Sequence, residues 1–140
     1  MKKATKRPER ELTNAIIALL WAHNIPCWRT GVGAFPAEYG GTRRFVRMGT
    51  RGMADIVGVV PVSVAVPILW PSPIPRDPRG GYRFGRALAI EVKSPTGRIR
   101  PEQLAFLQEV VRAGGIGFVA RSVTDVVEKL GFGRGPGGGA

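Results

Sequence analysis

The sequence predicts a single α/β domain with a mixed central sheet flanked by helices. Three observations predict it. Helical and extended segments follow in the order helix, strands, helix, strand, helix. The strand-helix-strand run from Ala87 to Ala120 implies a parallel crossover, because two parallel strands need a long connection. The strands around Asp55 and Glu91 are joined as a hairpin and therefore run antiparallel. At 140 residues the chain holds one modest core, not two.

Residues 1–8 read as a disordered basic arm, residues 9–131 as the folded domain, and the glycine-rich residues 132–140 as a flexible tail. The first helix is expected from about Pro8 or Glu9 to His23. Leu12, Ile16, Leu19 and Leu20 recur at helical spacing and form its buried stripe. Pro8 suits a first-turn position, and Glu9 and Glu11 suit the positive end of the helix dipole. Asn24-Ile25-Pro26 ends the helix. Cys27-Trp28-Arg29-Thr30 opens a strand, and Gly31 to Gly41 reads as a glycine-bearing loop. Phe45-Val46-Arg47 is a short strand, and Met48 to Gly52 a turn. Met53 to Val60 is apolar apart from Asp55 and reads as a central strand.

The stretch from Pro61 to Arg86 carries six prolines and reads as an insertion in the hairpin, either a flap over a ligand or a plain loop. Within it, Val62 to Leu69 fits an edge strand, and Trp70 to Arg79 an extended loop. Ala87 to Lys93 (ALAIEVK) is rich in small and β-branched residues and forms the organising strand. The basic loop Ser94 to Arg100 follows. Pro101 opens a helix to about Ala113, with Leu104, Leu107, Val110 and Val111 inward, and Gly114-Gly115 stops it. Ile116 to Ala120 is a strand. Ser122 and Asp125 form a capping box for a last helix that ends at Gly131.

The formal net charge is +11, from 21 Lys and Arg against 10 Asp and Glu. This surplus favours a polyanionic partner, with nucleic acid the plain candidate. Arginines outnumber lysines, which suits bidentate contact with phosphate. Arg98 and Arg100 in the basic loop, Arg51 in the turn and Arg47 at the end of its short strand are placed for backbone contacts. Trp28, Phe106 and Trp70 read as core or interface side chains. With one cysteine, Cys27, no intrachain disulfide forms, and a reducing, cytoplasmic setting is expected. With one histidine, His23, the usual His/Cys zinc sites are excluded. No segment reads as a signal peptide or a membrane span.

Glu91 and Lys93 are two apart on a strand and face the same way. Asp55 lies in the neighbouring strand. Two carboxylates brought together repel unless a cation lies between them. Magnesium or manganese is the natural cation, with the Val92 carbonyl as a further oxygen ligand. Lys93 is placed to steady a phosphate or help deprotonate a water. Gln103, early in the following helix, can reach back to position water or phosphate. This constellation suits hydrolysis of a phosphodiester.

RMGTRGMADIVGVV, followed by ALAIEVKSPTGRIRPEQLAFLQEVVRAGGIGFVARSVTDVVEKL, resembles the VRR-NUC branch of the PD-(D/E)XK nuclease superfamily. The resemblance implies a restriction-endonuclease-like core and a metal-dependent nuclease. It matches Gly52 and Asp55 to the family's glycine turn and strand acid. Glu91 and Lys93 match its E-x-K, and Gln103 its helix-head Gln. Glu11 would be the first-helix acid and a further metal ligand, and Trp28-Arg29 the Trp-Arg after that helix. Small stand-alone members are phage or bacterial proteins similar to homodimeric Holliday-junction resolvases, so branched DNA and a second copy are the implied partners. The other reading, of a basic DNA-binding protein without catalysis, uses the same arginines and no metal.

Overall fold

The computed structural model describes residues 6–31, 33–65, 76–77 and 81–132. Helix α1 spans Lys6–Ala22, α2 Pro101–Arg112 and α3 Val123–Leu130. The strands are β1 (Cys27–Arg29), β2 (Gly33–Tyr39), β3 (Thr42–Met48), β4 (Ile56–Val64), β5 (Arg76–Asp77), β6 (Gly81–Val92) and β7 (Ile116–Ala120). The main sheet has the order β1-β4-β6-β5, with β7 also on β6. Strands β1, β4, β6 and β5 pair antiparallel, and β6 pairs parallel with β7 through the α2 crossover. The mixed α/β sheet and its flanking helices form a restriction-endonuclease-like core, as the sequence predicts.

Alternation along β6 assigns the two faces. Leu88, Ile90 and Val92 turn to one side and join Ile16 and Leu20 of α1, Cys27, Ile56, Phe118 and Val126 of α3 in the larger core. Ala89 turns to the other side, where it meets Ala54 and Leu107 beneath α2. Small residues on this side let α2 approach closely: a side chain at Gly117 would meet the Leu107 carbonyl oxygen at 2.9 Å. Glu91 lies on this thinner, α2-covered side.

Ser122 and Asp125 cap α3 reciprocally, as their spacing predicts. The Arg121 amide and the Ser122 groups hold the Asp125 carboxyl below its ordinary pKa, against a smaller opposing effect of burial.

Several boundaries differ from the sequence reading. Helix α1 begins at Lys6, so the last residues of the expected arm are helical; residues 1–5 lie outside the described ones. The expected loop from Gly31 to Gly41 is largely a strand. It pairs with β3 from Gly33↔Met48 to Tyr39↔Thr42, and Gly40-Gly41 turns the chain with positive φ at both residues. Such a two-residue turn matches the twist of a hairpin. The hairpin from Asp55 to Glu91 is longer than expected, with pairing from Ile56↔Ile90 to Val64↔Tyr82. Pro61 is tolerated inside β4 because the β1 pairing ends at Cys27↔Gly58, so that among the described residues β4 is paired on one side only from there. Most of the proline-rich segment (66–75 and 78–80) and the tail (133–140) fall outside the described residues. Phe132, assigned to the tail, stacks on His23 with ring centroids 3.9 Å apart. Leu104 and Val111 were expected inward, yet they are 44% and 52% exposed, since α2 buries the Leu107 face instead. Among the described residues, no helix is long and apolar enough to cross a membrane.

Candidate active site

Asp55 stands one residue before β4, and the register Ile56↔Ile90 carried one pair further sets it opposite Glu91. Its carbonyl accepts the Thr30 amide at 2.9 Å, and its Oδ2 accepts the Val92 amide at 2.8 Å. One residue therefore ties the end of β1 to the end of β6. Glu91 is 1% exposed. Its Oε1 takes the Lys93 ammonium at 2.9 Å and the Gln103 amide nitrogen. Its Oε2 is buried and has no hydrogen-bond partner. Burial pushes the Glu91 carboxyl above its ordinary pKa. Lys93 pulls it back, and the nearby Asp55 charge adds to the rise. The Asp55 amide lends a further small pull downward without satisfying Oε2.

Gln103 sits in the first turn of α2. Its Oε1 accepts the Arg100 amide at 2.9 Å, which caps the helix and turns the side-chain NH2 toward Glu91. The helix start is held against the turn before β4. The turn closes with the Met53 amide donating to the Thr50 carbonyl at 3.1 Å, and Arg51 reaches Glu102 at 3.7 Å.

The loop after Lys93 is fastened from two other elements. The Arg121 guanidinium at the end of β7 donates to the carbonyls of Ser94 at 2.6 Å, Gly97 at 2.7 Å and Pro95 at 3.4 Å. Glu9 of α1 accepts the Ser94 amide at 3.0 Å. Arg121→Ala is expected to speed amide exchange at Ser94 and Gly97. It should also cost about 1–3 kcal/mol, because partly buried carbonyls lose a charged donor. Hydrogen exchange and urea denaturation check it.

Asp55, Glu91, Lys93 and Gln103 thus converge at one end of the sheet. Val92 presents its backbone there and buries its side chain in the core. Arg51, Arg98 and Arg100 are exposed in the turn and loop around this end. Arg29 is exposed on the opposite face, since it pairs with Ile56 and shares the side of Cys27. Arg47 lies in β3 opposite Ala34, and its side chain is outside the described ones. Glu11 is exposed on α1. Glu9 and Arg121 are the site-supporting residues that the sequence reading missed. For Glu9 a signal existed: at 100° per residue it is within about 20° of Ile16 and Leu20, whereas Glu11 is about 140° from Ile16. Arg121 carried no signal, because its partners are backbone carbonyls more than twenty residues away.

No match was found among curated proteins or solved structures. The VRR-NUC domain model matches residues 9–124, from the first turn of α1 to the start of α3. That span takes in both strands of the acid pair, the Lys93 loop and the α2 crossover, and it is most of the chain. This protein therefore belongs to the VRR-NUC family of nuclease domains.

Proposed function

We propose that this chain is a divalent-metal-dependent endonuclease of the PD-(D/E)XK superfamily that hydrolyses DNA phosphodiester bonds. The carrying observation is Oε2 of Glu91, buried beside Asp55 without a partner. An unsatisfied carboxylate oxygen is costly, and a second carboxylate nearby raises the cost. A cation held between them removes both penalties. Among the described residues no three His, Cys, Asp or Glu side chains converge, so protein ligands alone do not close a cage. Two carboxylates with the Val92 carbonyl suit Mg2+ or Mn2+, hard ions that keep several waters. Glu11 enters this reading only as a water-mediated ligand.

A divalent ion here supplies a Lewis acid for the phosphodiester and lowers the pKa of water. The protein's own groups do the rest. Lys93, only 14% exposed and tied to Glu91, offers a fixed positive charge to a phosphate as negative charge develops. Gln103 holds the Glu91 carboxylate in one orientation. Arg51, Arg98 and Arg100 take the DNA backbone at this end of the sheet, with Arg29 and Arg47 as the other arginines assigned to the DNA. We assign branched DNA, a four-way junction above all, as substrate and a homodimer as the working form, since a two-fold protein suits a two-fold junction. The buried Cys27 thiol suits a reducing cytoplasm. A protein that only binds DNA has no use for a buried acid pair, which repels phosphate.

A labelled four-way junction tests this. The wild type should cut it with Mg2+ or Mn2+ and not with EDTA. Lys93→Ala should lower the single-turnover rate by about 10²–10³-fold. No cutting by the wild type with either ion, or undiminished cutting by Lys93→Ala, overturns the proposal.

A further inference from the structure

We propose that Trp28 is a stacking platform for an unstacked base at the branch point of the DNA. The inference rests on the nuclease reading above and deepens it. Cys27 is buried in the α1 and α3 core, so strand alternation turns Trp28 to the other face of the sheet. That face carries Glu91. Trp28 pairs with Val57, and Val57 pairs with Ala89. This row lies two residues along from the row of Thr30, Asp55 and Glu91, a distance of about 7 Å at the usual strand rise. Trp28 therefore shares the face of the acid pair, one strand across from Asp55 and two across from Glu91.

Trp28 is more than half exposed. Helix α2 packs chiefly over β6 and β7 on this face. Val59 on the same face is exposed too, at 37% against 54% for Trp28. An exposed aromatic side chain on the face of the sheet that carries the acid pair, in a chain of net charge +11, fits a nucleobase better than an apolar partner. Base-aromatic stacking needs a base whose π-face is free. Bases stacked inside a duplex have none to offer, whereas a base at a branch, where the stack is interrupted, does. The platform would thus contribute to branch selectivity next to the scissile phosphate.

The test uses four-way junctions with 2-aminopurine either at the branch or in mid-arm, in buffer with Ca2+ in place of Mg2+. Wild-type binding should change the branch signal and leave the mid-arm signal alone. Trp28→Ala should abolish that change and weaken junction binding about 5- to 150-fold, with duplex binding unaltered. Trp28→Phe should retain most of both. Trp21 is also exposed, but it lies on α1 with its ring nitrogen bonded to the Cys27 carbonyl at 3.2 Å, so Trp21→Ala should behave as wild type. A wild-type response from Trp28→Ala, or an equal loss on duplex and junction, overturns the inference. If Trp28→Ala fails to fold, Trp28→Leu is read by the same criteria. A wild type that stacks the branch base yet cuts nothing in Mg2+ or Mn2+ sinks the nuclease reading and leaves the platform standing.

Discussion

Asp55→Asn should abolish cleavage and, in metal-free buffer, raise the melting temperature. Both effects come from one charge. The carboxylate sits beside a buried Glu91 whose pKa is raised by burial and by Asp55 itself. Asparagine keeps an oxygen for the Val92 amide, so the tie between β4 and β6 persists. It also brings an N–H donor to the side of Glu91, where Oε2 has no partner. Relief of about 0.5–2 kcal/mol is expected, the scale of one satisfied buried polar group. In a chain of this size that is about 2–4 °C for each kcal/mol. Cleavage should fall by about 10³-fold or more, since metal-borne charge stabilisation is worth several kcal/mol. Mg2+ should stabilise the wild type, by about 2.7 kcal/mol at a hundred times its Kd, and leave the variant unmoved. Calorimetry with and without Mg2+, beside junction cleavage, measures all three. A variant less stable than wild type without metal would mean that the acid pair carries no strain.

How much of this was legible follows from the range of the interactions. The hydrophobic period located α1, α2, α3, β4 and the second half of β6, because each buries a regular stripe. Asp55 and Glu91 stood out as charges in apolar strands, and their pairing needed only a hairpin between them. The β2–β3 hairpin escaped because Gly40-Gly41 reads equally as loop glycine or as a tight turn, and Pro36 argued against a strand. The outer half of the β4–β6 hairpin escaped because Pro61 and Gly85, which pair with each other, are both poor strand residues. Leu104 and Val111 share a helical stripe with Leu107, and periodicity alone could not say which edge of it faced solvent. Trp28 reads from sequence as core or interface, and its 54% exposure excludes only the first, because what lies over a strand face is not written in that strand. Arg121 acts through distant backbone carbonyls, which leave no trace in side-chain spacing, whereas the place of Glu9 on the Ile16 and Leu20 side of α1 was there to be read.

Gly52→Ala should be among the most damaging small substitutions in the chain. Gly52 has φ +86, and a Cβ there would lie 2.6 Å from the Glu102 carbonyl oxygen and 2.8 Å from its carbon. The left-handed conformation alone costs alanine about 1–2 kcal/mol. The contact adds about 1–3 kcal/mol, because a helix backbone cannot rotate out of the way as a side-chain tip can. The first turn of α2 must shift instead. That turn carries Gln103, whose amide orients Glu91, so the loss of stability and the loss of catalysis share a cause. Gly114→Ala separates the two contributions. Gly114 has φ +92 and open space around its Cβ position, at the far end of the same helix. It should therefore show the conformational cost alone and keep wild-type cleavage. Urea denaturation of both variants gives the difference, and junction cleavage at saturating Mg2+ shows whether it reaches the site. Equal destabilisation with equal activity would show that the α2 terminus yields freely to the turn. The glycine before the strand acid would then serve the turn itself and not the close approach of the helix.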